Sequence, residues 1–404
     1  MNIYLPGIQR FPMLAKTAMG LEDILAGELL RLGAEDIRVL SRAVAFKGDK
    51  RLLYSANYNL RTALRVLRIL AEFPVENEPD VYRKVMEIPW QNLMEVRQTF
   101  IVDAISFSPL FRNSMYLAQR VKDGIADRFR KETGRRPNID KDNPDIRVNI
   151  LVSGKKGVLS LDSSGESLHK RGYRVRQGLA TLNEVLAAGM ILKSGWHAES
   201  HFIDPMCGSG TLPIEAAMYA LGIPPGFMRK KYGFIAWKDF DASLYQSVRN
   251  HADIRRKVPF LILGSDRSAV AIRLARMNVS NTGLEESVKL KILPMHDLVP
   301  PSPPGTVMFD PPFGKRMKIK ELGSLYYTIG TDLKRNFGGY ESWILTGVPK
   351  LLKNINLKVS EIFSLNHGGL DVRLVHYRIS QRHLHEEAEN RKKPRRPRIG
   401  NQEK

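Results

Sequence analysis

Two short stretches of this 404-residue chain carry residue types that could do chemistry together. The first is Asp204 to Thr211, DPMCGSGT, between an apolar HFID and a helix-forming TLPIEAAMYA. Gly208 and Gly210 let the backbone turn sharply and let a ligand approach with no Cβ in the way. A glycine turn between a strand and a helix is the setting that holds a cofactor at the end of a sheet. No Gly-Lys-Ser or Gly-Lys-Thr follows, which argues against the phosphate loop of a nucleotide triphosphatase. The second stretch is Asp310, Pro311, Pro312 and Phe313, followed by Gly314, Lys315 and Arg316. An exocyclic amine on a nucleobase is a poor nucleophile because its lone pair is delocalised into the ring. A carboxylate oxygen of Asp310 and the carbonyl of Pro311 could each accept one amine hydrogen and aim that lone pair at an electrophilic carbon. Prolines at 311 and 312 would stiffen the carbonyls, and Phe313 could stack on an unpaired base. Catalysis would then come from orientation and hydrogen bonding. Alone, DPPF also reads as a strand end with Phe313 in the core. The glycine motif upstream favours the chemical reading, because both motifs fall at the carboxyl ends of strands, where open α/β sheets bind ligands.

Two further carboxylates belong to the same edge. Asp266, ending VPFLILGSD, could hold ribose hydroxyls, although it lies well beyond the usual spacing of about 20 residues from the glycine turn. Residues 222–257 would then be an insertion, and Pro224-Pro225-Gly226 with Arg229, Lys230 and Lys231 give it a basic character. Asp266 could equally cap the helix that follows. Asp297, after the next strand, could accept from an adenine amino group or be a plain loop carboxylate. Cys207 has no evident His partner and is expected to pack in the turn as a small apolar group.

The elements that must position these residues follow from periodicity. A strand at FPMLAKT, a helix to Gly33, two short strands within 35–47, a helix over 50–61 and a strand over 63–75 give the order β-α-β-β-α-β of a ferredoxin-like module, residues 1–72. A second small α/β module spans 73–165, with a long amphipathic helix from Ser114 to Glu132. Residues 166–200 form a linker and leading helix. Strands and helices alternate over 201–381, which predicts a mostly parallel doubly wound sheet of Rossmann type. The turn NHGGL predicts a terminal antiparallel hairpin. Residues 382–404 are a basic tail in which RKKPRRPR holds six cations in eight positions.

Lysine and arginine total 63 against 42 acidic residues, a net charge of +21 that favours a polyanion, nucleic acid first. Within HKRGYR, Lys170, Arg171 and Arg174 around Tyr173 could hold phosphate while the ring stacks on a base, although on so basic a protein such residues can also be a solvated face. One cysteine excludes a disulfide framework and a Cys-rich metal site. No apolar run of 18 to 20 residues and no leader pattern is present, so a cytoplasmic address is expected, with no membrane and no metal.

Taken in order, SLHKRGYR, LATLNEVLAAGMILKSGW, DPMCGSGTLPIEAAMYA, GFIAWKDFD and DPPFGKRM resemble the bacterial large-subunit ribosomal RNA guanine N2-methyltransferases, S-adenosylmethionine-dependent enzymes of class I. Residues 1 to about 165 resemble that family's ferredoxin-like and THUMP modules, so the resemblance spans all but the last twenty or so residues. It implies a C-terminal class I methyltransferase fold preceded by those two modules. It also implies S-adenosylmethionine as cofactor, held by Asp204, Met206, Cys207, Gly208, Gly210 and Thr211, with Asp266 at the ribose and Asp297 near the adenine. The target amine would lie at Asp310, Pro311, Pro312 and Phe313, and Lys170, Arg171, Tyr173, Arg174, Lys315 and Arg316 would contact RNA, either 23S ribosomal RNA or a pre-50S particle. The family usually shows Asn and Tyr where this chain has Asp310 and Phe313, and the DPP form also occurs in transfer RNA guanine methyltransferases. Transfer RNA as substrate, adenine N6 as target and a non-catalytic RNA-binding assembly factor therefore stay open. A chain of this length has room for one such catalytic domain, so a single modification by a monomer is expected.

Overall fold

The computed structural model describes residues 1–4, 7, 9–175, 181–252, 257–312 and 319–381. The described chain forms two compact units, one of Met1–Arg174, Asn183–Lys193 and Met218–Lys257, the other of Val175–Leu182, Ser194–Ala217 and the chain from Val258 onward.

In the first unit, β1 (Asn2–Ile3), β2 (Phe11–Lys16), α1 (Glu22–Arg31), β3 (Glu35–Leu40), β4 (Ala43–Gly48), α2 (Lys50–Asn59) and β5 (Arg65–Pro74) precede α3 (Glu78–Met86), β6 (Phe100–Phe107), α4 (Ser114–Thr133), β7 (Ile146–Ser153) and β8 (Lys156–Asp162). The helix α5 (Glu184–Lys193) belongs to the same unit. Strand alternation fixes which face is inward: along β2, Phe11, Met13 and Ala15 are buried and their neighbours only partly so. Asp49 caps α2 by accepting from Leu52 N at 2.8 Å, and Gly134 in the left-handed region ends α4. The strands run β3-β4-β2-β5-β8-β7-β6, with β1 beside β5. The antiparallel β5–β8 pairing merges residues 1–72 and 73–165, separate modules by sequence pattern, into one continuous sheet over one apolar core.

The second unit starts its sheet with β9 (His201–Asp204), followed by α6 (Thr211–Ala220). The excursion after α6, which includes α7 (Ala242–Ala252), belongs to the first unit. Its sequence reads as basic, and Lys230 and Lys231 are exposed, yet Tyr232, Phe234 and Trp237 are buried in the N-terminal core. Tyr232 and Phe234 stack at 5.2 Å, and Arg68, 2% exposed, reaches Asp239 at 2.8 Å. The sheet continues through β10 (Ile262–Asp266), α8 (Ala269–Thr282), β11 (Val288–Ile292), β12 (Gly305–Phe309), α9 (Ile319–Asn336), β13 (Tyr340–Thr346), β14 (Glu361–His367) and β15 (Leu370–Arg378). Its order is β11-β10-β9-β12-β13-β15-β14, parallel through β13. The terminal hairpin forms as expected, with β15 inserted antiparallel between β13 and β14. Every residue of β12 is buried, as a parallel strand covered on both faces requires. No helix among the described residues is long and apolar enough to cross a membrane.

Candidate active site

The sheet register sets the site. Asp204 pairs with Gly264 on β10, and Ile203 pairs with Val307 on β12, so Asp204, Asp266 and Asp310 end or follow three adjacent strands at one edge. The glycine turn bends over that edge. Gly208 and Gly210 have φ of +52° and +85°, values that L side chains rarely adopt. A Cβ on Gly208 would meet nothing within 4 Å, so this backbone is open to a ligand, whereas one on Gly210 would press Ala275 at 3.1 Å. Three contacts fix the turn: Cys207 N donates to Ser265 O at 2.9 Å, Gly208 N to Asp266 Oδ2 at 3.0 Å, and Asn278 Nδ2 to Ser209 O at 2.9 Å. The other oxygen of Asp266 accepts from Ser268 N at 2.8 Å, and Ser268 caps α8 by accepting from Ala271 N. Asp266 is thus a brace for the glycine turn, and the capping role suggested by its position falls to Ser268.

A cavity of about 740 Å³ opens along this edge, wholly within the second unit. Asp204, Met206, Cys207, Gly208, Thr211, Asp266, Asp310 and Pro312 line it, which brings into one place most of the residues that the sequence singled out for the cofactor and the target amine. Gly210 and Pro311 shape the two turns without lining it, and Asp297 is exposed outside the lining. Its neighbours Pro294, Met295 and His296 take that wall instead. Phe313, Lys315 and Arg316 lie outside the described residues, as does the basic tail. Sequence reasoning missed Arg267, Glu321, Ser324, Thr328 and Asp332. The last four stand at spacings of three and four on α9, a one-face helical pattern that could have marked them.

The electrostatics are one-sided. The lining holds the carboxyl groups of Asp204, Asp266, Asp310, Glu321 and Asp332 against Arg267 and His296. Such a wall repels pyrophosphate and suits a cationic ligand. Asp204 is 2% exposed, and burial holds its carboxyl well above the usual carboxylate range, an effect that nearby Asp266 and Asp310 reinforce and the hydrogen bond from Met206 N opposes. Burial likewise pushes the Cys207 thiol up, which fits a packing role: a Cβ on Gly264 would meet its sulfur at 3.1 Å. Among the described residues no group of three or more His, Cys, Asp or Glu could hold a metal ion.

The basic cluster around Tyr173 needs correction. Tyr173 and Arg171 are 1% and 2% exposed, so neither offers its side chain to a base or phosphate. Arg171 donates to the carbonyls of Leu168 at 2.8 Å and Arg61 at 2.5 Å. Arg174 pairs with buried Glu184, and the partly exposed Lys170 pairs with Glu166 at 2.9 Å. Arg229 joins them structurally, donating to the carbonyls of Ser164, Glu166, Ser167 and Lys170 at 2.8–3.2 Å.

A parallel sheet in this order, with a braced glycine turn after one strand, an acidic residue after the next and an Asp-Pro-Pro loop beside them, is the fold and site of a class I methyltransferase. Residues 171–376 match the RMKL-like methyltransferase domain family, residues 12–67 the RlmL ferredoxin-like domain and residues 75–162 the THUMP domain. The chain belongs to the RMKL-like methyltransferases. It is 39% identical over 375 residues to the ribosomal RNA large subunit methyltransferase K/L of Photobacterium profundum, covering 91% of this chain and 53% of that protein. The chain therefore spans about half the length of this curated relative. Among solved structures, SMU.472, described as a methyltransferase and crystallised with SAH, superposes with a TM-score of 0.83 at 29% identity, covering 92% of this chain and 99% of that one. A Listeria monocytogenes protein described as an N6-adenine-specific DNA methylase gives 0.83 at 28% identity, covering 92% and 97%.

Proposed function

We propose that this chain transfers a methyl group from S-adenosylmethionine to the exocyclic N2 amine of a guanine in large-subunit ribosomal RNA, in the cytoplasm. The observation that carries this reading is the meeting of the glycine turn and Asp310 on one carboxylate-rich cavity. When bound, the cofactor supplies an electrophilic methyl on a sulfonium. The donor set fits it: open backbone at Gly208 for the methionine part, Asp266 at the cavity edge for ribose hydroxyls, and net negative lining for a cation.

This chain's own residues orient the nucleophile. Asp310 accepts one hydrogen of the target amine and the Pro311 carbonyl accepts the other, leaving the nitrogen lone pair free to point into the cavity. Pro311 and Pro312 hold that geometry through their fixed φ. Burial of Asp204 keeps a second full negative charge away from Asp310, so the turn is not forced apart by like charges. The THUMP match and the net charge of +21 support an RNA substrate, and the Photobacterium relative supports ribosomal RNA over transfer RNA.

The test is incubation with methyl-labelled S-adenosylmethionine and, separately, unmodified ribosomal and transfer RNA, followed by nucleoside digestion and mass spectrometry. The expected product is N2-methylguanosine from large-subunit RNA. Label in transfer RNA or in N6-methyladenosine would refute the assigned substrate or base, and no label in any RNA or assembling particle would refute the enzymatic reading.

A further inference from the structure

The glycine turn is held from a side that the reaction described above does not use. α8 packs against it along one face: Ala271 and Leu274 line the cavity, Ala275 Cβ lies 3.1 Å from where a Cβ on Gly210 would stand, and Asn278 follows at the same helical spacing. Asn278 is 4% exposed and lies outside the cavity lining. Its Nδ2 donates to Ser209 O at 2.9 Å, and its Oδ1 accepts from Val175 N at 3.1 Å. The amide fits in this sense only, because turning it round would set an N–H against an N–H and an oxygen against an oxygen. Val175 is where the chain enters the second unit, directly after Arg174 of the first. Its side chain is 40% exposed, so apolar burial does little to hold it there, and its N–H is the group tied to α8. At the far end of the same stretch, Thr181 and Leu182 line the cavity. One buried side chain thus joins the glycine turn to the point of entry of a stretch that supplies part of the cavity wall.

We propose that Asn278 is a positioning residue that couples occupancy of the glycine turn to anchoring of the chain at Val175, so that each stabilises the other. This rests on the cofactor reading above. The Ser209 carbonyl and the Gly210 N–H belong to one peptide plane. Asn278 holds the carbonyl towards α8 while the N–H closes the turn on Cys207 O at 2.8 Å, so the plane is fixed at both ends. A carbonyl held by a residue outside the lining is kept from swinging its negative end into the space the ligand takes. The Val175 N–H in turn fixes the amide that does the holding. Loosening either bond loosens the other, and by linkage a ligand that fixes the turn must tighten the chain at Val175. The residues matched to the THUMP domain, 75–162, precede Val175, so this clasp sits on the covalent path from that domain to the cofactor turn.

The experiment is calorimetric titration of the full chain with S-adenosylhomocysteine, for the wild type, Asn278→Ala, Val175→Pro and the double variant. Asn278→Ala removes both bonds, whereas Val175→Pro deletes only the far donor, on a residue that does not line the cavity. Each single variant is expected to weaken binding by about tenfold, the scale of one well-placed hydrogen bond, and the double variant no further than Asn278→Ala alone. In the wild type, saturating ligand is expected to slow hydrogen exchange of the Val175 amide by at least about tenfold, under conditions where the β13 amides exchange more slowly still and so exclude global unfolding as the route. A merely structural asparagine would lower the urea midpoint and leave the affinity where it was. Wild-type affinity in Val175→Pro, losses that multiply in the double variant, or a Val175 exchange rate unchanged by the ligand would overturn the proposal while leaving the cofactor reading intact. If Val175→Pro does not fold, the exchange measurement decides alone. No binding of S-adenosylhomocysteine by the wild type would remove the cofactor reading and this inference with it.

Discussion

Replacing Asp204 by Asn tests whether the strand end beneath the glycine turn carries a neutral acid. The amide keeps an oxygen for the Met206 N–H, which Asp204 Oδ1 accepts at 3.0 Å, and removes only the ionisation. The folded carboxyl sits well above its ordinary value of 3.8, chiefly through desolvation, so the folded acid stays protonated over a pH range in which the unfolded one ionises. A raised carboxyl contributes its full stability below pH 3.8 and loses it as pH rises towards the folded value. The loss is about 1.4 kcal/mol for each pH unit over which the folded group remains protonated. The Asn variant has no such term, so its stability relative to wild type should be constant below pH 3.8 and then climb with a slope approaching that figure. Native-state hydrogen exchange of β9 and β12 peptides, compared between the two proteins at each pH from 4 to 7, reads the difference directly, because the intrinsic exchange rates cancel. A flat difference across that range, or wild type gaining on the variant, would refute a buried neutral acid at this position.

Three further outcomes follow from the same geometry. Asp310→Ala should slow methyl transfer by about 10²–10³, the cost of one preorganised polar contact, with S-adenosylhomocysteine affinity nearly unchanged in calorimetry; equal loss of affinity would take Asp310 out of catalysis. Arg229→Met should destabilise the N-terminal unit by about 1.5–3 kcal/mol, since a charged donor to four carbonyls is lost, and a urea midpoint for that unit within error of wild type would contradict the clamp. Gly264→Ala should cost about 1–3 kcal/mol by overpacking, because the new Cβ would meet Leu290 Cδ2 at 2.9 Å and Pro213 Cγ at 3.0 Å, measured as a lowered midpoint for the C-terminal sheet.

Local pattern carried much of this fold. Alternation in FPMLAKT, the helical spacing of Leu25 and Leu29 and the βα repeats from His201 are short-range signals, and each forms the expected element. The glycine turn was legible because its special φ values need glycine at two nearby positions. Long-range pairing was not. Nothing in residues 65–74 or 156–162 announces that β5 and β8 will be neighbours. Arg171 and Tyr173 look like an RNA-contacting patch in one dimension, but the carbonyl that buries the arginine belongs to Arg61. The lysines beside Tyr232 masked an aromatic anchor in the same way, and Glu321, Ser324, Thr328 and Asp332 went unread although their spacing of three and four sets them on one face of α9.

The excursion of residues 218–257 away from the second unit governs how this protein can be taken apart. Along the sequence the chain changes allegiance after Arg174, Leu182, Lys193, Ala217 and Lys257. A protease that nicks the backbone once within residues 194–217 therefore leaves each fragment holding pieces of both folds. A fragment starting near residue 200 would carry Tyr232, Phe234 and Trp237 without the core that covers them, and so would present sticky aromatic surface to its surroundings. Neither unit can thus be excised as one uninterrupted stretch of chain, although each has a sheet of its own.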